Sequence, residues 1–406
     1  MKVLIPFDEA REIELENAKL LPWEKVSLLE APGRVVAEDI VSDITLPPWD
    51  NSGVDGYAIR GDYREGDKRK IVEIVAAGDY SDVEVTETTA VKIMTGAPVP
   101  PGADRVIMVE DTEVEGDYVV LKRVIPEGKN IRRRGEDIRE GEVVVERGKV
   151  LRPYEIGEIA SVGRSHIKVF RRATVGILAT GNEIVDIDER RNEFQIRNSN
   201  GYTLYSQVKE AGAIPFMLGI AGDSEEELEE RVKAGLQFDI LVTSGAISMG
   251  DYDLLKKVLQ KLDVEIHFWK VRERPGLPLL FATAGETLIF CLPGNPVSTA
   301  VMFEQHVRPV LLKMMGHKRI FRPRIKARID TDLKLKKGLR HFVRVKLTEK
   351  DGEWWASLTG NQGSGILSSM VKADGLLVYY EDEEYKRGDY VDVEIINEKI
   401  FYREEA

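Results

Sequence analysis

The segment from Thr174 to Met315 constrains the fold most strongly, because short apolar runs alternate there with longer segments of helical periodicity. Runs such as Val175–Leu178 and Ile240–Val242 are typical of strands that are buried on both faces of a sheet. Between the runs, apolar residues recur every three or four positions, as they do in an amphipathic helix. This alternation predicts a doubly wound α/β domain, and we place its boundaries at residues 171–318.

The flanking regions show the period-two alternation and the frequent turn residues of β structure. We predict a β domain over residues 51–139 that is inserted into a discontinuous helical domain, formed by residues 1–50 and 140–170. Residues 319–406 predict a small C-terminal β barrel.

Helical spacing and turn residues define the elements of the discontinuous domain. Residues 8–21 and 153–161 predict helices, and we expect these two helices to pack on each other. The stretch from Trp23 to Val35, with Pro32 and Gly33 inside it, predicts a short helical or turn segment.

Composition excludes several classes of function. The net charge of -12 argues against nucleic-acid partners, which need a basic face. No apolar run approaches the roughly 18 residues that a membrane helix needs, so we expect no membrane partner. The single cysteine, Cys291, excludes an internal disulfide and is typical of a reducing cytosol, so a cytoplasmic protein is expected.

Motifs of several enzyme classes are missing from the sequence. There is no G-x-S-x-G nucleophile motif, no H-E-x-x-H zinc motif and no G-x-x-x-x-G-K-[ST] phosphate loop. A hydrolase with an activated serine and a kinase or NTPase are therefore disfavoured.

Polar or glycine-rich segments directly follow predicted strands of the α/β domain, at residues 180–183, 243–253 and 292–298. Because the carboxyl ends of parallel strands meet at one edge of the sheet, we expect these segments to converge on one crevice. Their glycines, hydroxyls and helix N-termini suit an anion, and the acids Asp251 and Asp253 suggest a bridging metal. The alternative is a set of N-capped turns without a ligand.

Similar polar clusters occur in the β regions, at residues 46–58, 94–104, 130–137 and 359–365. The run Arg132–Arg134 suits phosphate oxygens, and the alternative is a solvated charge run with local ion pairs. The glycine-rich turn at 359–365 is either part of a site or an ordinary loop between strands.

Taken together, the motifs resemble those of the MoeA-type molybdopterin molybdenumtransferases, a family that includes the E domain of gephyrin. In family order they are P-P-W-D-N-S-G-V-D-G-Y-A at 47–58, M-T-G-A-P-V-P at 94–100, R-R-R-G-E-D at 132–137, T-G-N-E at 180–183, S-G-A-I-S-M-G-D-Y-D at 244–253 and L-P-G-N-P-V-S at 292–298. The resemblance covers nearly the whole chain. It implies a MogA-like α/β domain within an L-shaped homodimer of four-domain subunits.

The resemblance also implies an activity in molybdenum cofactor biosynthesis. The expected substrates are small molecules, namely adenylylated molybdopterin (molybdopterin-AMP) and molybdate, with tungstate as the alternative oxyanion. AMP is released, and Mg²⁺ assists cleavage of the pyrophosphate link. A molybdopterin adenylyltransferase and acceptor enzymes are the candidate protein partners.

Site residues follow from the resemblance by position. The catalytic residues that it implies are Asp55, Asp137, Glu183 and Asp253, and the Mg²⁺ ligands are Asp55, Glu183 and Asp253. The substrate-binding residues that it implies are Thr180, Gly181, Asp223, Ser244, Gly245, Ser248, Gly250, Lys270, Arg274, Pro293, Asn295 and Ser364. Because the family's active site combines domains of both subunits, Asp55 and Asp253 are expected to come from different chains.

The sequence departs from the family pattern at Ala246, where a second glycine is usual, and at Leu277, where a lysine is common. Leu277 removes a cation from the oxyanion site, so the choice between molybdate and tungstate stays open. A second hypothesis is a catalytically weak homodimeric scaffold that binds peptides or partners of the cofactor pathway. For Lys270, the alternative to substrate binding is an exposed cation at the end of a strand.

Overall fold

The computed structural model describes residues 1–222, 224–245, 247 and 251–402, and for residues 251–253 it describes the backbone. At the centre lies a mixed β sheet. In spatial order its described strands are Lys2–Ile5, Glu265–Val271, Leu280–Ala284, Thr287–Leu292, Ile240–Ser244, Thr174–Thr180 and Ile214–Ala221. The strands from Thr287–Leu292 to Ile214–Ala221 run parallel, as the sequence predicts, and Leu280–Ala284 runs antiparallel to its neighbours.

Helices cover both faces of this sheet. Their bounds are Ser199–Glu210, Glu225–Gly235, Asp251–Lys261 and Pro296–Met302, the last of which continues through the π-helical turn Phe303–Val307 into Arg308–Met314. Ile177 is buried on one face of the sheet with Val301, while its neighbour Leu178 is buried on the other face with Leu255. This alternation of buried neighbours along a strand confirms the doubly wound prediction.

The N-terminal segment joins the central sheet, which the sequence analysis did not predict. Strand Lys2–Ile5 pairs in parallel with Glu265–Val271, and Val3 lies opposite Trp269. Helix Phe7–Asn17 then buries Phe7 and Ala10 in the same core as Val310. The strand is short and mostly exposed, so its pairing partner, not its own pattern, decides its conformation.

Of two expectations for the discontinuous domain, one is wrong and one is correct only in part. Helix Pro153–Ser161 buries Ile159 in a core with Val36 and Val145, separate from the core that receives the N-terminal helix, so these helices do not share a packing face. The segment from Trp23 to Val35, predicted to be helical or a turn, begins instead with a strand, Trp23–Ser27, and contains the 3-10 helix Leu28–Glu30 and a turn at Pro32 and Gly33. That strand is stabilised by antiparallel pairing with the distant His166–Phe170, which a local pattern does not reveal.

The predicted β regions are present. The inserted sheet has, in spatial order, the described strands Arg105–Met108, Gly56–Ile59, Thr89–Ile93, Lys68–Val75, Tyr118–Leu121 and Thr112–Glu115. The C-terminal strands are Arg324–Ile329, Arg340–Lys350, Glu353–Leu358, Gly375–Tyr379 and Tyr390–Ile395. Strand Arg340–Lys350 pairs with both Glu353–Leu358 and Gly375–Tyr379, which closes these strands into the predicted barrel.

Short elements complete the described chain. The short strands pair as Ile40–Val41 with Val143–Val145, Asn51–Ser52 with Ile131–Arg132, Ile184–Val185 with Ile196–Arg197, and Glu273–Arg274 with the barrel strand Arg340–Lys350. The short helices are Val109–Asp111, Ser368–Val371 and Glu398–Phe401. None of the helices in the described ranges combines the length and the apolar character that crossing a membrane requires. The residue boundaries of the domains stay a prediction.

Candidate active site

A cleft of about 650 Å³ opens at the carboxyl ends of strands Thr174–Thr180 and Ile240–Ser244. Its lining includes the predicted residues Thr180, Gly181, Glu183, Ser244, Gly245, Pro293 and Asn295. We call it the first cleft. The structure therefore brings together the segments that the sequence analysis expected to converge at this edge of the sheet.

Gly245 allows these segments to approach each other closely. Its φ of 103° lies in the region that favours glycine, and a Cβ atom there would lie 2.5 Å from the carbonyl oxygen of Thr180. The Gly245 N–H donates to the carbonyl of Leu292 over 3.0 Å, which links this turn to the Pro293–Asn295 loop. A side chain at position 245 would therefore push apart the loops that form the cleft.

Asn200 is a functional candidate that the sequence analysis missed. Its Nδ2 donates to Ser244 Oγ over 2.7 Å and to the carbonyl of Gly294 over 2.8 Å. It stands in the first turn of helix Ser199–Glu210, whose cap is the side chain of Asn198. A polar residue at the start of a helix reads as an ordinary cap, so only the contact across the cleft identifies Asn200.

The first cleft suits a phosphate group. The N-termini of helices Ser199–Glu210 and Pro296–Met302 border it with a positive dipole end. In the second helix Pro296 has no N–H and the Val297 N–H donates to the Ser364 carbonyl, so the first helix is the better N–H donor. Arg197 adds a cation, and the exposed Glu183 adds a carboxylate at the same cleft. A site that combines anion-binding groups, a cation and a carboxylate is typical of one that binds a charged phosphoanhydride.

A second cleft of about 790 Å³ lies between the α/β core and the barrel. It shares Pro278, Pro293 and Asn295 with the first cleft, so the two cavities adjoin. The predicted residues Arg274 and Ser364 line it, together with Leu277, Lys334, Lys336, His341 and Arg344. Four of the lining residues are cations, namely Arg274, Lys334, Lys336 and Arg344, and Glu273 and several apolar residues line the cleft with them. Leu277 stands near these cations in place of one more.

Arg344 is the most unusual of these cations. Its side chain is 1% exposed, and no carboxylate in the described part of the chain pairs with it. Its Nη2 donates to the carbonyl of Gly363 and its Nε to Ser369 Oγ, both over 3.3 Å. Burial lowers the pKa of the guanidinium to about 10. A buried cation without a counter-ion is costly, so an anionic ligand is the physical reason that we assign to it.

The glycine-rich turn at residues 359–365 reaches this site. The carbonyl of Ser364 accepts a hydrogen bond from the Val297 N–H over 3.0 Å. The side-chain oxygen of Gln362 accepts from the Arg344 N–H, and its side-chain Nε2 donates to the Arg344 carbonyl. Gly365 lines the first cleft and Ser364 the second. The turn therefore lies beside both clefts, as expected if it is part of a site.

The remaining motifs meet elsewhere, around residues 50–55. The Gly96 N–H donates to the carbonyl of Ser52, and the Gly53 N–H to that of Asn130, both over 2.8 Å. Asp137 lines a cleft of about 590 Å³ there with Arg132 and other residues. The motifs at 47–58, 94–100 and 132–137 are therefore gathered into a separate group.

Asp55 projects from this group toward solvent. Its carboxylate accepts from the Thr95 N–H over 2.7 Å and from Thr95 Oγ1 over 2.8 Å. These donors, the backbone N–H first, lower the pKa of Asp55, so the side chain is ionised at neutral pH. Within one chain, neither Asp55 nor Asp137 lines the first or second cleft.

Part of the arginine run is occupied by a local ion pair. Arg133 Nη1 donates to Asp50 Oδ2 over 2.6 Å, and the Arg134 N–H donates to Asp50 Oδ1 over 2.8 Å. The backbone bond from Arg134 and the pair with Arg133 lower the pKa of Asp50. The alternative of a local ion pair therefore holds for Arg133. Arg132 lines the cleft that contains Asp137.

Other predicted residues are placed away from the clefts or lie outside the description. Lys270 lines neither cleft, and its Nζ lies 3.9 Å from the centre of the Trp269 ring. Asp223, Ser248 and Gly250 lie outside the described residues, and Asp253 is described by its backbone in helix Asp251–Lys261. The described side chains bring no group of three His, Cys, Asp or Glu together that could hold a metal ion, so no Mg²⁺ site is assembled by them.

Comparisons with known proteins agree with this geometry. Family models match residues 5–163 (MoeA N-terminal region, domain I and II), 176–313 (probable molybdopterin binding domain) and 326–396 (MoeA C-terminal region, domain IV). The molybdopterin molybdenumtransferase of Haemophilus influenzae is 35% identical, with 97% of this chain and 99% of that protein covered. The Bacillus subtilis protein of the same name is 32% identical, with 97% and 95% covered.

A solved structure supports the same conclusion. The molybdopterin biosynthesis moeA protein from Pyrococcus horikoshii OT3 superimposes with a TM-score of 0.82 at 32% identity, over 97% of this chain and 100% of that one. These matches confirm the predicted fold class, including the MogA-like α/β domain. Because the relatives are named as transferases, the matches favour an enzyme over the scaffold hypothesis.

Proposed function

The chain belongs to the MoeA family of molybdopterin molybdenumtransferases, enzymes of molybdenum cofactor biosynthesis, and we propose that it inserts molybdate into adenylylated molybdopterin with release of AMP. The observation that carries this proposal is the junction of the two clefts at Pro278, Pro293 and Asn295. The first cleft suits the phosphate groups of adenylylated molybdopterin, and the second cleft suits the oxyanion. Because the clefts adjoin, the two substrates can lie next to each other.

The first cleft binds the pyrophosphate link of the substrate in this proposal. The N-terminus of helix Ser199–Glu210 and the Ser244 hydroxyl donate hydrogen bonds to phosphate oxygens, and Arg197 offsets their charge. Cleavage of a phosphoanhydride needs charge neutralisation and positioning more than a protein nucleophile, which agrees with a site that has no activated serine or cysteine motif in the sequence.

The second cleft binds the oxyanion. Arg344 and Arg274 supply charge, and Ser364 supplies a hydroxyl. Molybdate carries two negative charges, and a buried guanidinium without a counter-ion gains most from such a ligand. Tungstate has the same charge and shape, so this cleft is proposed to take either.

The carboxylates complete the proposal. Glu183 stands at the first cleft, and we propose that Asp55 and Asp137 reach this cleft from a second copy of the chain in a homodimer. Asp55, Glu183 and Asp253 are the proposed Mg²⁺ ligands, and Mg²⁺ would neutralise charge on the leaving phosphate. A cytoplasmic location and contacts with an adenylyltransferase and acceptor enzymes are further parts of the proposal.

The test is AMP release. Purified protein with adenylylated molybdopterin, molybdate and Mg²⁺ is expected to release AMP, and chelation of Mg²⁺ with EDTA is expected to stop the release. Glu183→Gln and Asp253→Ala should each lower the turnover number about 100-fold or more, because charge stabilisation in the transition state is lost.

His317→Gln is a suitable control, because His317 lines a separate small cavity with Gly33 and Met315. Its AMP release should equal that of the unmodified protein. A folded protein that releases no AMP would contradict the proposed reaction, and full turnover of Asp253→Ala would remove Asp253 from it.

A further inference from the structure

Glu14, His306 and Glu273 are buried side by side where the N-terminal helix, the π-helical turn Phe303–Val307 and the strand Glu273–Arg274 meet. All three side chains are 0% exposed. His306 Nδ1 lies 2.9 Å from both carboxylate oxygens of Glu14, and Nε2 lies 2.9 Å from Glu273 Oε1. We call this group the His306 clamp.

Both ring nitrogens of His306 contact a buried carboxyl group. An imidazolium donates from both nitrogens, whereas a neutral ring has one N–H and satisfies both contacts only if a glutamate carries the second proton. Burial raises the pKa of Glu14, while the contact with His306 lowers it. Burial by itself lowers the pKa of His306, but Glu14 and Glu273 outweigh it and raise the pKa to about 10. The contacts with two carboxyl groups and the raised pKa of His306 together favour an imidazolium at neutral pH.

Charges from the neighbouring elements surround the clamp. Arg11, on the N-terminal helix, interacts electrostatically with Glu14, Glu273 and Glu394 and donates to Gln305 Oε1 over 2.7 Å. Gln305 in turn donates to Glu394 on the barrel. With Arg11 included, the two carboxylates of the clamp face two cations, which makes their complete burial tolerable.

The clamp holds the strand that carries Arg274. Along residues 271–274 buried and exposed positions alternate, so the Glu273 side chain points into the clamp while Arg274 points outward, and both residues belong to the lining of the second cleft. His306 is the hydrogen-bond partner of Glu273 Oε1, and Glu273 Oε2 has none among the described residues. Removal of His306 would thus leave a buried carboxylate unpaired next to Arg274.

We propose that His306 is a positioning residue. As an imidazolium that bridges Glu14 and Glu273, it fixes the Glu273–Arg274 strand and thereby holds Arg274 at the second cleft. This role rests on the proposed binding of an oxyanion by that cleft. It goes beyond the family assignment, because it assigns a function to a buried histidine on the far side of the strand from the substrate.

The first measurement does not depend on activity. ¹⁵N NMR of the full-length protein with labelled histidine should show a His306 ring with protons on both nitrogens at about pH 8, where an ordinary histidine is neutral. The signal is assigned by its absence in His306→Gln. A neutral His306 ring at that pH would overturn the proposal.

The second measurement is molybdate binding by calorimetry, compared with AMP binding. His306→Gln is expected to weaken molybdate binding about tenfold or more, as loss of a supporting hydrogen bond does at other sites, and to leave AMP binding unchanged. If His306 had only a structural role, its substitution would weaken the binding of both ligands or of neither. Glu14→Gln, which keeps the pair with Glu273, serves if His306→Gln does not fold, and it should weaken molybdate binding selectively.

A double mutant shows whether His306 acts through Arg274. Molybdate binding by His306→Gln/Arg274→Gln should be no weaker than binding by Arg274→Gln alone, because the positioned group is already gone. Additive losses, or unchanged molybdate binding in a folded His306→Gln, would contradict the positioning role. Unmodified protein that binds no molybdate would instead contradict the proposed function itself, and the positioning role with it.

Discussion

Arg344 is a charged side chain that is buried although it lies on the face of its strand away from the barrel core of Val343 and Val345. Its neighbours Phe342, Val343 and Val345 are buried, and Arg344 is buried with them. A protein that only needed a stable barrel would gain from an apolar residue here, since an unpaired buried charge costs free energy. In the proposed function, this cost in stability is offset when the oxyanion binds to Arg344.

We expect Arg344→Met to separate the two effects. Molybdate affinity should fall about 10- to 100-fold, since charge-assisted hydrogen bonds contribute about 1.5–3 kcal/mol each. The melting temperature should stay equal or rise, because the uncompensated charge is removed. Calorimetric titration and thermal unfolding measure the two quantities, and Lys346→Met, which removes an exposed cation from the same strand outside the second cleft, is the matched control. Unchanged molybdate affinity in Arg344→Met would contradict the assignment of this cation.

Among the elements, the two central strands are tied together at the end that lies opposite the clefts. Asp239, directly before strand Ile240–Ser244, accepts from Arg171 Nη1 over 2.7 Å, from the Thr174 N–H over 2.7 Å and from Thr174 Oγ1 over 2.9 Å. These bonds fix the relative start of the strands Thr174–Thr180 and Ile240–Ser244. Because both strands end at the first cleft, their register also sets the positions of Thr180 and Ser244.

The Asp239 tie should make stability depend on pH at the acid end. Burial alone would raise the pKa of Asp239, but Arg171 and Thr174 outweigh burial and lower it. The stabilisation is therefore fully present above the unfolded pKa of about 3.9 and is lost as the pH falls through the lowered folded value.

Asp239→Asn should lower the free energy of unfolding by about 1–3 kcal/mol at neutral pH and by less at low pH. Urea unfolding at several pH values measures the difference, with the exposed Asp188→Asn as the control. A constant difference across the acid range would contradict the ionic origin of the tie.

For the whole molecule, the motifs fall into two groups that one chain does not join. Glu183 lies at the first cleft, while Asp137 lies at a separate cleft and Asp55 faces solvent. All three are proposed parts of one active site, so the proposal requires two copies of the chain to meet with one group facing the other. A closed two-fold dimer satisfies this requirement at both sites at once.

Mixing two inactive variants tests this arrangement. Asp55→Asn and Glu183→Gln are each expected to release little AMP as homodimers. After equal amounts are mixed and subunits are exchanged, about a quarter of the unmodified activity should return, because half of the dimers are mixed and each has one intact site. Light scattering checks that the dimer is present. A monomeric active protein, or no recovery from mixed dimers, would contradict a site shared between chains.

The sequence by itself determined the class of each region and the loops that carry chemistry. Apolar periodicity, helix caps such as Ser224 and turn glycines such as Gly245 act between residues that are close in the chain, so a single sequence contains them. The rule that parallel strands end at one edge then predicted that the loops after Thr180, Ser244 and Leu292 would converge, and they do.

Only the tertiary structure decided the features that depend on distant partners. Lys2–Ile5 became a strand because an edge of the sheet was open to it, and Trp23–Ser27 became one because His166–Phe170 pairs with it. Glu14 and His306 lie 292 residues apart, and neither position differs locally from an ordinary polar residue of a helix. Burial and pairing of charges are properties of the packed molecule, because their free energy depends on which groups exclude water from each other.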